Sequence, residues 1–225
     1  MAPVAGRPFL DYLLCWLRSE GVEDVILCVG HKRSSIQTFV RSGRKWGLHV
    51  DYSIERRLLG TGGAVKKAES MISASRVIVL NGDTLLGVNL QQLVSFHHNR
   101  SALATLTTIK VADQQRYGSL KLDRKGRITA FLEKSSNHHG RQKTALISGG
   151  VYVFEKRVLA TLGKRRTISL EKEVFPRLAA NRRSYGFVTD APFVDIGVPE
   201  DFQRAQGELR ERFRLCDPYK GAAPH

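Results

Sequence analysis

With 225 residues and 42% hydrophobic content, the chain can bury one substantial core and is expected to form one domain. Its three cysteines, Cys15, Cys28 and Cys216, stand far apart and in no metal-ligand spacing, which argues against a disulfide framework and for a reducing cytosol. Lys and Arg exceed Asp and Glu by 15, so the surface attracts polyanions: a triphosphate or sugar phosphate as readily as nucleic acid.

The opening stretch from Met1 to Gly21 is not a signal peptide, because Asp11 and Arg18 interrupt its apolar run; no apolar run reaches membrane-spanning length. Leu10, Leu13, Leu14 and Leu17 instead form a helical stripe over Phe9 to Glu20, with Gly21 as its stop. Val25 to Val29 is continuously apolar, as a strand buried on both faces should be. Ser34 or Ser35 can cap a second helix reaching toward Trp46, and His49 to Ile54 reads as the next strand. A helix from Thr61 to Met71, a strand from Val77 to Leu80 and a helix from Leu90 to His98 continue the alternation. That order predicts an α/β fold, a Rossmann-like and mostly parallel sheet with helices on both faces.

After Ala102 the texture changes. Ala102 to Val111 and Tyr117 to Leu122 read as strands, Asp123 to Gly126 as a tight turn, and Arg127 to Lys134 as the returning hairpin strand. A strand from Ala145 to Phe154, a helix from Ser169 to Ala180, and strands at Tyr185 to Thr189 and Phe193 to Ile196 follow. A last helix starts at Pro199, with proline at its first position, and runs to about Arg214. There is no internal repeat and no hexapeptide array of a β-helix.

One carboxylate stands out. In RVIVLNGDTLLG, from Arg76 to Gly87, a buried-strand pattern ends in a turn that carries Asp83. At the carboxyl end of such a strand a carboxylate can hold a metal over phosphates, although an ordinary Asn-Gly-Asp turn has the same sequence. The basic residues are scattered, without interleaved aromatics or a nucleic-acid-binding signature. The pairs His97, His98 and His138, His139 read as surface, since helical neighbours point about 100° apart.

Six segments stand in an order that chance does not readily produce: ERRLLGTGGA, VLNGDTL, YGSLKLDRKGRITAFLEK, ISGGVYVF, SLEKEVFPRLA and FVDIGVPEDFQRAQ. Together they resemble the sugar-1-phosphate nucleotidyltransferase family, up to about Gln206. The resemblance implies a nucleotide-diphospho-sugar transferase fold and the joining of a nucleoside triphosphate to a sugar 1-phosphate with release of pyrophosphate. The opening MAPVAGRPFLDYLL and LCVGHK point within it to GTP and D-glycero-D-manno-heptose 1-phosphate. It also implies Mg²⁺ held by Asp83 and Asp195, and Lys134 as a further catalytic residue on the sugar phosphate. Glu55, Gly60, Thr61 and Gly62 would bind the nucleotide, and Gly118, Glu133, Lys134 and Gly150 the sugar phosphate.

The family's opening strand and glycine-rich GGxGTR loop, followed by Pro-Lys, have no counterpart here. Residues 1–206 are therefore expected to form an N-terminally incomplete transferase domain, poorly soluble or marginally stable and nearly inactive, and 207–225 a helix end and tail. A nucleotide-binding remnant without catalysis is the alternative, and a basic nucleic-acid-binding protein a third.

Overall fold

The computed structural model describes residues 1–111, 119–132, 144–163 and 167–212. In chain order the first elements are β1 (Pro3–Val4), β2 (Arg7–Pro8), α1 (Phe9–Ser19), β3 (Asp24–Val29), α2 (Arg33–Val40), β4 (His49–Ile54), α3 (Gly60–Ala68), β5 (Arg76–Leu80), β6 (Thr84–Leu86) and α4 (Leu90–Asn99). They are followed by β7 (Ala104–Val111), β8 (Ser119–Leu122), β9 (Ile128–Leu132), β10 (Ala145–Glu155), α5 (Lys156–Ala160), α6 (Phe175–Ala180), β11 (Ser184–Val188), β12 (Phe193–Asp195) and α7 (Pro199–Arg212). Two compact units emerge, one from Met1–Leu58, Gly82–Gly87 and the chain from Pro192 onward, the other from Leu59–Asn81 and Val88–Ala191. Among the described residues no helix is long and apolar enough to cross a membrane.

In the first unit the stripe of α1 packs as its spacing demands: Leu14 and Cys15 are buried with Val40, Trp46, Leu48 and Val50, flanked by Val25 and Leu27 of β3. Asp11, which breaks the apolar run, is fully buried and satisfied, accepting from Arg7 Nε at 2.6 Å and Trp46 Nε1 at 2.8 Å. A buried carboxylate is tolerated only with such partners. β3 and β4 run parallel, Asp24 opposite His49 through Val29 opposite Ile54. Contrary to the expectation of burial on both faces, Val25, Ile26 and Leu27 are only half-buried, and among the described residues β3 pairs with β4 alone.

The second helix also departs from its reading. It starts at Arg33 after Lys32 in a left-handed conformation (φ 52°), without a serine cap, and ends at Val40. It stops where Arg41 leaves the helical region (φ 53°), and Gly43 (φ 80°), where a Cβ would lie 2.4 Å from Val50 Cγ2, lets the chain turn tightly against β4 before a short 3₁₀ turn at Arg44–Trp46.

In the second unit β10, 11 residues long, is the central strand. It pairs antiparallel with β7 along one edge and with β8 and β5 along the other, while β11 lies parallel to β7 and β9 antiparallel to β8. The sheet is thus mixed rather than mostly parallel, because β10 enters after the hairpin of β8 and β9 instead of after a crossover helix. Phe175 of α6 anchors the helical layer, with ring centroids 5.0 Å from Tyr152 and 5.4 Å from Phe131. The stretch expected as one helix from Ser169 begins as a π turn, Leu170–Val174. Pro176 has no N–H to continue an α ladder, and the wider turn accommodates it.

His97 is not a surface residue: it is 1% exposed, with Nδ1 2.9 Å from Thr105 Oγ1 and Nε2 3.4 Å from Glu155 Oε1. His98 is exposed, and the pair at 138 and 139 lies outside the described residues. Burial pulls the His97 imidazole below its usual 6.5, against the opposing pull of Glu155 and with Arg76 and His98 adding to it. The folded state therefore holds it neutral, while the unfolded chain takes up a proton once the pH falls below about 6.5. Stability from this group is present above that pH and is lost as pH falls toward the folded value. Thermal unfolding from pH 7 to pH 5.5 should show a steeper loss in wild type than in His97→Gln, and equal slopes would contradict the assignment.

Candidate functional site

Asp83 stands in the turn that enters β6, and Asp195 is the last residue of β12. The β6–β12 ladder sets Asp195 opposite Thr84, and Ile196 N donates to Asp83 O at 2.9 Å, locking the two chain segments in register. Gly197 N donates to Asp195 Oδ1 at 2.6 Å. A Cβ on Gly197 would lie 3.0 Å from Asp195 Oδ1 and 3.4 Å from Asp83 Oδ2, so both carboxylates reach one point beside this glycine. Two carboxylates so placed repel each other unless a cation joins them. An oxygen-only pair suits a hard divalent cation that keeps waters and phosphate oxygens as its other ligands. Among the described residues no group of three or more His, Cys, Asp or Glu forms a fuller protein cage.

Glu55 follows β4 in the same unit, its N–H donating to Val29 O at 2.7 Å and its Cβ 3.6 Å from where a Cβ on Gly30 would stand. Although part of Cys28 reaches the surface, desolvation and then the Glu55 carboxylate push its thiol up to about 11, with a Ser53 hydrogen bond opposing. Cys28 is therefore no nucleophile near neutral pH.

In the second unit Gly60, Thr61 and Gly62 open α3. The space that side chains would fill at the two glycines is taken by Ile168: a Cβ on Gly60 (φ 71°) would lie 2.5 Å from Ile168 O, and one on Gly62 2.8 Å from Ile168 Cγ2. Gly62 N donates to Ile168 O at 2.8 Å, and Thr61 Oγ1 accepts from Leu170 N at 2.8 Å. Gly150 (φ 76°) sits where the β7–β10 register shifts, a bulge in β10, with its carbonyl accepting from Asn81 N at 2.9 Å. Gly118, Glu133 and Lys134 lie outside the described residues.

A family model described as nucleotidyl transferase matches residues 1–212. The chain belongs to the nucleotidyl transferase family. Among its relatives, D-glycero-alpha-D-manno-heptose 1-phosphate guanylyltransferase of Aneurinibacillus thermoaerophilus is 36% identical over 210 residues, 93% of this chain and 88% of that protein. Mannose-1-phosphate guanylyltransferase of Mycobacterium tuberculosis is 36% identical over 211 residues, 93% of this chain and 58% of that protein. The crystal structure of HddC from Yersinia pseudotuberculosis complexed with GMP-PN is 32% identical with a TM-score of 0.82, covering 93% of this chain and 88% of that one. These relatives bear out the resemblance to sugar-1-phosphate nucleotidyltransferases, and with it the α/β fold of this nucleotidyl transferase and its enzymatic class.

Two features of the site had no role in the sequence reading. Gly197 lies within FVDIGVPEDFQRAQ, but only the folded chain shows both carboxylates reaching the space beside it. Ile168 and Glu171 flank or belong to SLEKEVFPRLA, and the spacing of that segment carries no sign that it docks on the GTGG turn. The concavity of about 680 Å³ in the first unit contains none of the expected site residues; Ser34, Thr38, Arg41 and Lys45 are among its lining.

Proposed function

We propose that this chain transfers the nucleotidyl group of GTP to a manno-heptose 1-phosphate and releases pyrophosphate, with Mg²⁺ held by Asp83 and Asp195. The convergence of those carboxylates over Gly197 carries the reading, and the names of the relatives supply the substrates. An oxygen of the sugar phosphate attacks the α-phosphorus; the bond to the oxygen bridging to the β-phosphate breaks, and its electron pair leaves with pyrophosphate. Mg²⁺, when bound, supplies positive charge against the phosphates as that bond breaks. Asp83 and Asp195 hold the charge in place, which keeps the reacting groups aligned. Glu55 accepts hydrogen bonds from the guanine edge, and Gly60, Thr61 and Gly62 form the turn against which the nucleotide rests. By the family resemblance, Gly118, Glu133 and Gly150 bind the sugar and Lys134 its phosphate.

Pyrophosphate release should be measured with GTP, ATP, UTP and dTTP, each paired with manno-heptose, mannose and glucose 1-phosphates. The highest kcat/KM is expected for GTP with the heptose phosphate; preference for another base, or no turnover with any pair, would contradict the proposal. Mannose 1-phosphate is the second reading, because the mannose-specific relative is also 36% identical. Lys134→Ala should raise KM for the sugar phosphate roughly tenfold or more while leaving KM for GTP little changed, since it acts as a point charge on one substrate. Equal effects on both would place Lys134 elsewhere.

A further inference from the structure

The turn that opens α3 is held by a second strip of chain, Ile168 to Glu171, through both backbone and side chains. Ile168 N donates to Leu59 O at 2.8 Å, and Ile168 O accepts from Gly62 N at 2.8 Å and Gly63 N at 3.3 Å. Beside this backbone clasp runs a side-chain relay: Leu170 N donates to Thr61 Oγ1 at 2.8 Å, and Thr61 Oγ1 donates to Glu171 Oε2 at 3.0 Å. Ser169 Oγ donates to the same Glu171 oxygen at 3.1 Å and itself accepts from Lys172 N at 3.1 Å. The clasp and the relay differ in burial. Ile168 is 1% exposed, so its part is packing, whereas Thr61 and Glu171 are exposed, so neither is needed to fill the core.

Exposed hydroxyl–carboxylate contacts contribute little to folding, and side-chain order at a surface has an entropic cost. What the relay does fix is the conformation of the turn. With Leu170 N donating to it, the Thr61 oxygen is an acceptor on one side, and its proton is directed to Glu171 on the other. The Thr61 rotamer, and with it the backbone from Gly60 to Gly62, is thereby set before any ligand arrives. Ordering a loop in advance removes a cost that the ligand would otherwise bear on binding.

We infer that Glu171 is a positioning residue for nucleotide binding, acting through Thr61 to preorganise the Gly60–Gly62 turn; the inference rests on the proposed reading of that turn as the nucleotide loop. Glu171→Ala and Thr61→Val should each raise KM for GTP roughly five- to tenfold, the scale of one charge-assisted hydrogen bond lost. For Glu171→Ala, KM for the sugar phosphate, kcat and the unfolding temperature should stay near wild type. The double variant should be no worse than either single one, because both cut the same relay. Glu171→Gln and Thr61→Ser, which keep an acceptor and a hydroxyl, should restore GTP affinity. Hydrogen exchange of the amides from Leu59 to Gly63 separates the positioning role of Glu171 from the reading of the turn as the nucleotide loop. If GTP protects these amides in wild type but Glu171→Ala and Thr61→Val leave KM for GTP unchanged, the relay does not position the turn. If GTP leaves them unprotected in wild type, the turn is not the nucleotide loop and the inference falls with that reading.

Discussion

Asp83→Asn and Asp195→Asn should each lower turnover on the order of 10²-fold or more, the scale of losing a main electrostatic stabiliser of a charged transition state. The magnitude follows from where the charges meet. Both carboxylates approach one point above Gly197, and an amide in place of either leaves the geometry while halving the negative charge that holds a divalent cation there. Folding should survive, because Asn at 195 retains an oxygen for Gly197 N, which now donates to Asp195 Oδ1 at 2.6 Å. Pyrophosphate release and thermal unfolding, measured on the same preparations, test both parts. Wild-type turnover in either variant would remove that residue from the metal site; a collapse in unfolding temperature would make its role structural.

Gly60→Val should damage both stability and nucleotide binding. At φ 71° any side chain is strained, and the first carbon of this one would lie 2.5 Å from the Ile168 carbonyl oxygen, a backbone atom that cannot rotate away. A loss of about 2–4 kcal/mol is expected, combining left-handed strain with overpacking against a fixed neighbour. For a chain of this size that corresponds to an unfolding temperature lower by about 5–15 °C. GTP affinity should fall with it, since the clasp from Ile168 to Gly62 cannot close around a side chain. Gly207→Ala is the control: nothing lies within 4 Å of its added carbon, and a helical alanine should be neutral or stabilising by up to about 1 kcal/mol. Equal unfolding temperatures for Gly60→Val and wild type would show that the turn tolerates a side chain and that the close approach to Ile168 does not constrain it.

What the sequence made legible depended on how local the cause was. The stripe of Leu10, Leu13, Leu14 and Leu17 depends on spacing within one helix, and α1 spans Phe9–Ser19 much as that spacing requires. The strand His49–Ile54 has the bounds its own residues predict. Where a distant segment decides, the reading failed. Val50 packs against Gly43 just past the end of α2, and the β5, β7 and β10 side chains Arg76, Thr105 and Glu155 surround a histidine that nothing local marks as buried. The mixed sheet has the same origin, since nothing local to Ala145–Glu155 shows that it pairs antiparallel on both edges.

The site divides in the same way. Asp83 could be named because a strand pattern ends just before it, and Asp195 because it closes a short apolar run in a recognisable motif. Their meeting above Gly197 depends on the β6–β12 register, which no spacing within either segment encodes. The GTGG motif was legible as a turn, but the reason for two of its glycines is Ile168, more than a hundred positions along the chain.

If Asp83 and Asp195 jointly hold a divalent cation, Mn²⁺ offers a spectroscopic stand-in for Mg²⁺ at this all-oxygen site. Electron paramagnetic resonance titration of free Mn²⁺ in the presence of GTP should show one protein-dependent binding event in wild type. In both Asp83→Asn and Asp195→Asn that event should weaken by roughly tenfold or more, as expected when one of two charged ligands is lost. Mn²⁺ binding of unchanged affinity in both variants would contradict the claim.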